Sequence, residues 1–225
     1  MGLADRFRAQ ADAFSDASLS SKLRDARFAH FLRLLEGRTG TTRVLDIGGT
    51  ANYWERRGFG DDRRIEITTL NHAAEPSALA NVTAFEGDAT DLSRWEDDAF
   101  DIVFSNSTIE HLFTFQAQQA MAREVRRLAP AYYVQTPGFW FPVEPHYLTP
   151  GWQYLPRGLR VAVLTRTRVG HRGPLPHAQA VNAVDEIKLL RRRQVRQLFP
   201  DADIVPERIG PFTKSFMAIR EARRA

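Results

Sequence analysis

One short stretch of this chain places a carboxylate and an imidazole two residues apart. In Phe141-Pro-Val-Glu-Pro-His-Tyr147, Glu144 and His146 flank a proline and have aromatic residues on both sides. Along extended backbone, residues i and i+2 point the same way, and Pro142 and Pro145 stiffen the segment, so the two side chains are expected on one side. An alcohol is a poor nucleophile while it keeps its proton, and a positioned base that removes it contributes typically ~10²- to 10⁴-fold, with histidine the usual choice near neutral pH. His146 is therefore the candidate general base, with Glu144 orienting the ring or bonding an acceptor hydroxyl. A Glu–His clasp that only pins the segment to the core is the structural alternative. A divalent metal held by Glu144, His146 and one further acidic residue would polarise the hydroxyl instead. The metal-free base is the preferred reading, because no paired-Asp signature accompanies the stretch.

Around this stretch lie Trp140, Tyr147, Trp152 and Tyr154. Flat rings beside a few polar groups suit a sugar, whose C–H faces stack on aromatics while its hydroxyls take directional hydrogen bonds. A plain hydrophobic lid would use the same rings, but the interleaved Glu144, His146, Gln153 and Arg157 lean toward a polar acceptor. Of the other histidines, His30 and His72 have no partner visible in the sequence, and His171 and His177 fall in a segment expected to be solvent-exposed.

The elements that must position these groups can be read from the apolar pattern. With 225 residues, 43% hydrophobic and 11% aromatic, the chain suits one soluble domain with a sizeable core. No apolar run approaches the roughly 20 residues of a membrane span, and the first ten residues lack the apolar centre of a signal peptide, so a cytoplasmic protein is expected. Cysteine is absent, which excludes disulfides, thiolate metal sites and cysteine nucleophiles. The net charge of +4 is mild. Its densest cluster, Lys188 with Arg191, Arg192, Arg193 and Arg196, reads as a solvated helix face rather than a nucleic-acid surface.

Residues 1–40 show helical spacing, including Phe28, Phe31, Leu32 and Leu35, stopped by Gly37 and Gly40. A core over 43–137 follows. Its strand signals are Arg43 to Ile47, Ile65 to Leu70, Val82 to Phe85, Phe100 to Phe104 and Tyr132 to Val134, with a crossover helix from Phe115 to Leu128. Continuous rather than alternating apolar strands suit a parallel sheet covered on both faces. Residues 138–184, rich in Pro, Gly and aromatics, are too long for an ordinary connection and read as an insertion covering the acceptor site. The span 185–225 is expected to hold a helix from about Asp185 to Leu198 and a hairpin from Ile204 to Ile209 and Ser215 to Ile219.

In such a sheet, ligands sit beyond the carboxyl ends of the strands. The first strand here ends in Asp46-Ile-Gly-Gly-Thr-Ala-Asn52, the second at Asn71, the third leads into Glu86-Gly-Asp-Ala89, and the fourth ends in Ser105-Asn-Ser107 within Phe100-Asp-Ile-Val-Phe-Ser-Asn-Ser-Thr-Ile-Glu-His-Leu112. These residues, in this order, resemble the class I S-adenosylmethionine-dependent methyltransferases of the type 11-like branch. The resemblance implies an α/β Rossmann-like fold, with a seven-stranded mostly parallel sheet closed by a C-terminal antiparallel hairpin. It further implies that Asp46, Gly48 and Gly49 flank the methionine portion of the cofactor. Asn71 would then hold the ribose, Asp88 and Ala89 the adenine, and Ser105 and Asn106 the region of the sulfonium. Two departures stand out: Thr50, Ala51 and Asn52 replace further glycines, so side-chain hydrogen bonds are expected to support the turn, and Asn71 replaces an acid. Glu110 and His111, recurrent in that family, are expected in a structural or cofactor-side role. A nicotinamide dehydrogenase would instead want GxGxxG and an acid after the second strand.

The Glu-Pro-His stretch, the Pro-Gly-Trp-Gln segment at 150–153 and Lys214-Ser-Phe216 resemble methyltransferases of glycan and polysaccharide pathways. That resemblance implies O-methylation of a sugar hydroxyl on an oligosaccharide or glycan precursor. O-methylation of a lipid, phenolic or other small metabolite, and a non-catalytic binding protein on the same fold, are the alternatives. The expected partners are a small-molecule or oligosaccharide acceptor and a second copy of the chain in a homodimer, without nucleic acid.

Overall fold

The computed structural model describes residues 19–60, 62–74 and 77–222. The N-terminal helical pattern is realised in α1 (Leu19–Leu35), and its part before residue 19 lies outside the described residues. Then come β1 (Thr42–Ile47), α2 (Ala51–Arg56), β2 (Ile65–Asn71), β3 (Val82–Glu86), β4 (Ile102–Asn106), a 3-10 turn (Ile109–His111), α3 (Phe115–Leu128) and β5 (Ala131–Pro137). The sheet has seven strands in the order β3-β2-β1-β4-β5-β9-β8, with β1 to β5 parallel. The closing strands β8 (Asp203–Ile209) and β9 (Phe212–Arg220) are antiparallel to each other, and β9 is antiparallel to β5. The reversal of order beside β1 places the carboxyl ends of β1 and β4 at the switch point where a ligand enters such a sheet.

Continuous apolar strands were expected to be covered on both faces, and they are. Alternate residues of β1, β4 and β5 supply two cores. Leu45, Val103 and Tyr132 pack with Met121, Val125 and Leu128 of α3. Val44, Ile102 and Tyr133 pack with Phe28, Phe31 and Trp54 of α1 and α2. The crossover helix begins where the sequence predicts because the Thr114 hydroxyl accepts from the Ala117 amide at 3.1 Å.

Two expectations need correction. Residues 185–198 are not one helix. An α-helix from His177 to Glu186 ends, the chain runs extended through Ile187–Leu190, and a second helix spans Arg192–Leu198. Long-range backbone pairing overrides local helix propensity there: the Lys188 amide donates to the Glu110 carbonyl at 2.7 Å and the Phe139 amide to the Leu190 carbonyl at 3.0 Å. The second correction concerns the Glu-Pro-His stretch, which is not extended: Glu144 ends a short strand and His146 lies in the turn that follows. The insertion around it is a folded layer. It carries the short strands β6 (Val143–Glu144) and β7 (Thr149–Pro150), a 3-10 turn, α4 (Arg157–Arg166) and α5 (His177–Glu186), with α6 (Arg192–Leu198) after it. Tyr147, Trp152, Leu164, Ala180 and Val184 form a core of their own beneath these helices. No helix among the described residues is long and apolar enough to cross a membrane.

Gly48 ends β1 with φ +84°, and a Cβ there would sit 2.1 Å from the Thr108 hydroxyl. Gly58, also left-handed at φ +80°, has nothing within 4 Å of such a Cβ. The two therefore separate backbone strain from steric contact. Gly58→Ala is expected to cost about 1 kcal/mol in urea unfolding, and Gly48→Ala at least about 1 kcal/mol more, because Thr108 must also move. Equal losses would show that the turn at Gly48 yields without strain.

Candidate active site

The carboxyl ends of β1, β2 and β4 and the turn after β3 open onto a cavity of about 240 Å³. Gly48, Asn71, Ala89, Ser107, Thr108 and His111 line it. The departures from a glycine-rich turn are accounted for by hydrogen bonds. The Thr50 hydroxyl accepts from the Tyr53 amide at 3.4 Å, capping α2, and the Asn71 side-chain amide donates to the Gly49 carbonyl at 2.5 Å. Asn71 thus spends one N–H on the turn and keeps its second N–H and its Oδ1 for other partners.

Asp46 lies beneath the turn and does not line the cavity. It is 1% exposed, and a Cβ on Gly49 would fall 1.6 Å from its Oδ2, so only glycine fits over it. The indole N–H of Trp54 donates to Oδ2 at 2.7 Å. Burial pushes the Asp46 carboxyl up to about 7, and the Trp54 hydrogen bond opposes that shift only partly. Of the remaining residues expected at a cofactor, Ala89 is on the cavity wall, whereas Asp88 is exposed and accepts from the Thr90 amide and hydroxyl, both at 2.8 Å. Ser105 is fully buried and donates to the Ile47 carbonyl at 3.0 Å. Asn106 borders a small recess on the opposite side, with Tyr53 and Arg57. The next two residues reach the cavity instead: Ser107, at φ +59°, donates its hydroxyl to Gln135 at 2.8 Å, and Thr108 donates to the Ile47 carbonyl at 3.0 Å. The strand runs past the point that spacing alone suggests.

Beyond Thr108 the chain builds a compact cluster of carboxylates and imidazoles. Glu144 and His146 do meet, with His146 Nδ1 donating to Glu144 Oε1 at 2.7 Å. The other oxygen of Glu144 accepts from the Tyr147 amide at 2.7 Å. His146 Nε2 faces Glu110 Oε1 at 4.0 Å. Glu110 is completely buried; its Oε2 accepts from the Thr136 hydroxyl at 3.1 Å, and its Oε1 makes no hydrogen bond. Burial pushes Glu110 up to about 7, with Glu144 adding to the shift and its own backbone amide, His146 and Thr136 opposing it. For His146, burial favours the neutral ring, but the bond to Glu144 and the charges of Glu144 and Glu110 outweigh it and raise the pKa.

His111 stands edge-on to His146, ring centroids 4.9 Å apart. Its Nδ1 donates to Glu186 Oε1 at 3.1 Å, and burial together with neighbouring His146 lowers its pKa despite Glu186. Glu186, at the end of α5, also lines an open groove of about 580 Å³ with His171, Arg172, Gln179 and Asn182. His111 therefore stands on the wall of the first cavity while its partner stands on the wall of the groove. Sequence spacing gives no sign of Glu186, which reaches the cluster only through the fold of the insertion.

The four rings expected to form an acceptor platform divide into pairs. Tyr147 and Trp152 are buried, 1% and 2% exposed, with centroids 4.9 Å apart, and the Tyr147 hydroxyl donates to the Ala183 carbonyl at 2.7 Å. They hold the insertion together and border an inner cavity of about 200 Å³ beside Glu144 and Arg160. Trp140 and Tyr154 are exposed, with centroids 5.9 Å apart and the Arg191 guanidinium 5.2 Å from the Trp140 ring.

Residues 45–131 match a family model described as a methyltransferase domain, well under half of the chain. No curated protein matches. Among solved structures, the chain is similar at TM-score 0.54 to the 1,6-didemethyltoxoflavin-N1-methyltransferase of Burkholderia thailandensis, crystallised with 1,6-didemethyltoxoflavin and S-adenosylhomocysteine, at 12% identity over 97% of this chain and 85% of that one. A Methanosarcina mazei S-adenosylmethionine-dependent methyltransferase matches at TM-score 0.50 and 13% identity, over 85% and 98% of the two chains. A Rhodobacter sphaeroides protein provisionally named as a zinc-dependent alcohol dehydrogenase matches at TM-score 0.55 and 14% identity, over 85% and 87%. The strand order, the antiparallel closing pair and these likenesses give the class I methyltransferase fold.

Asp46 has a consequence for stability that unfolding can measure. Its carboxyl titrates near 7 when folded and near ~3.9 in an unfolded chain, so the native state binds the proton more tightly. The stabilisation is complete below the unfolded pKa and is lost as pH rises through 7. Between pH 5 and pH 8, wild-type unfolding free energy should fall by on the order of 2 kcal/mol more than that of Asp46→Asn, which keeps an oxygen for Trp54. Parallel pH profiles for the two proteins in urea would show instead that Asp46 is ionised throughout.

Proposed function

We propose that this chain is an S-adenosylmethionine-dependent O-methyltransferase that methylates a sugar hydroxyl of an oligosaccharide or glycan precursor. The observation that carries the reading is the junction between the two openings. On a methyltransferase fold, a cavity at the strand ends adjoins, through His111 and Glu186, a groove lined by polar side chains.

The residues at the cavity fit the cofactor. Gly48 brings backbone to the cavity wall, Asn71 suits a ribose hydroxyl, and Ala89 offers a small apolar wall where an adenine would lie. When bound, S-adenosylmethionine supplies an electrophilic methyl group. What the chain must add is alignment of the acceptor and removal of its proton. In this reading His146 is the proton acceptor at Nε2, and Glu144 holds Nδ1–H and steadies the imidazolium that forms. The groove's Arg172, Gln179 and Asn182 suit hydroxyls, and exposed Trp140 and Tyr154 can stack on a longer glycan. The Glu-Pro-His, Pro-Gly-Trp-Gln and Lys-Ser-Phe stretches support the sugar class, being similar to those of the mycobacterial sugar 1-O-methyltransferase of methylmannose polysaccharide synthesis.

Incubation with labelled cofactor and a panel of mono- and oligosaccharides, free and partly methylated, should place label in a sugar product. His146→Gln should keep calorimetric affinity for S-adenosylhomocysteine and lose about 10²- to 10⁴-fold in turnover. Undiminished turnover would remove His146 from the chemistry, and label found only in lipid or phenolic acceptors would replace the sugar class. Absence of S-adenosylhomocysteine binding at millimolar concentration would overturn the enzyme reading altogether.

A further inference from the structure

The buried end of Glu110 is unexplained by proton transfer alone. A carboxylate with no exposure and one oxygen without a hydrogen bond is costly, and Thr136 relieves only its other oxygen. One ligand atom each from Glu110, His111 and His146 lies within 4.8 Å of the others. We propose that these three residues bind a divalent first-row transition cation, and that Glu144 and Glu186 are the outer partners that orient the two imidazoles.

The hydrogen bonds already have the pattern such a site requires. A metal-binding histidine commonly donates its other ring N–H to a carboxylate, which fixes the tautomer and raises the basicity of the ligating nitrogen. Both imidazoles do this: His146 Nδ1 donates to Glu144 at 2.7 Å and His111 Nδ1 to Glu186 at 3.1 Å. In each ring Nε2 keeps its lone pair. Glu110 Oε1 faces His146 Nε2 at 4.0 Å, while Oε2 is anchored by Thr136. Metal–nitrogen and metal–oxygen bonds of ~2.0–2.2 Å put neighbouring ligand atoms about 3–3.5 Å apart, so small side-chain rotations would close the site. Two imidazoles and one carboxylate favour zinc, cobalt or iron over magnesium or calcium, which prefer oxygen donors. Glu144 stands outside the ligand set because both of its oxygens are occupied, by His146 and by the Tyr147 amide.

The inference rests on the acceptor reading above for its role in catalysis. Three protein ligands leave positions open, and an acceptor hydroxyl bound there would be acidified by the cation: its proton passes to solvent, an O–CH3 bond forms as the S–CH3 bond of S-adenosylmethionine breaks, and S-adenosylhomocysteine leaves. His146 is then a ligand, and its role as proton acceptor belongs to the cation-free protein.

The test uses the full chain, stripped with chelator and titrated with zinc or cobalt chloride. One equivalent should bind at micromolar or lower Kd, and Glu110→Gln, similar in shape, should weaken binding at least tenfold. X-ray absorption of the zinc-loaded wild type, which needs no variant, should show two imidazoles and a carboxylate oxygen. No binding at millimolar concentration, a shell without imidazole, or zinc affinity equal in wild type and a folded Glu110→Gln would overturn the site. One-equivalent binding with that shell, in a protein that methylates no hydroxyl, would uphold the site while removing the acceptor reading. Methyl transfer to sugars that is undiminished by chelation, with no cation bound, would do the reverse.

Discussion

The Glu110 carboxylate, withdrawn from water at the end of the fourth strand, sets the terms for everything around it. Burying an ion in low dielectric costs several kcal/mol unless it is neutralised or paired. The fold responds from two directions at the carboxylate and a third at its backbone. Thr136 at the end of β5 supplies one hydrogen bond, His146 brings an imidazole from the insertion, and the run after α5 pairs its Lys188 amide with the Glu110 backbone carbonyl. Each of these elements is held where it is by packing elsewhere. The insertion therefore has to fold onto the sheet in one arrangement, because its histidine must arrive beside a carboxylate that cannot be left alone.

A second buried carboxylate, Asp46, performs the corresponding task one strand away. It supports the glycine turn from below, and Trp54 ties it to the aromatic core formed with Phe28, Phe31 and Phe104. Turn geometry and core packing are coupled through one hydrogen bond. The glycine turn, the aromatic core under α1 and the polar cluster under the insertion are thus connected across the carboxyl edge of the sheet. Catalytic precision in such a site comes from rigid elements and supporting hydrogen bonds rather than from the reacting groups alone.

How much of this was legible in the sequence follows from the range of the interactions. Strands β1 to β5 and α3 are visible because their apolar runs and caps are local, and α3 begins and ends where the periodicity does. The pairing of Glu144 with His146 is also local, but a turn rather than extended backbone determines it: Glu144 ends β6, and His146 lies in the turn that leads to β7. The break at Ile187–Leu190 is not, because it is enforced by backbone bonds to Glu110 and Phe139, 78 and 51 residues earlier in the chain by their numbers. For the same reason Tyr147 and Trp152, expected to face an acceptor, are consumed by the insertion's own core. Aromatic residues near a site read alike whether they face a ligand or a neighbour, and only the tertiary fold distinguishes them.

The link from His111 to Glu186 gives the insertion a purpose beyond covering the sheet. His111 belongs to the turn after β4 and lines the cavity at the strand ends, whereas Glu186 belongs to α5 and lines the outer groove. The Arg172 guanidinium reaches the same carboxylate at 3.5 Å, so whatever enters the groove meets a charge network that already includes the inner imidazole. A ligand that draws Arg172 or Glu186 toward itself also changes the hydrogen bond that orients His111. One hydrogen-bonded pair thus joins the wall of the groove to the wall of the cavity. It also explains why this edge of the sheet carries helices α4 and α5: a bare loop would leave Glu186 free to turn away, while a helix packed through Ala180, Ala183 and Val184 fixes its last turn against the cluster.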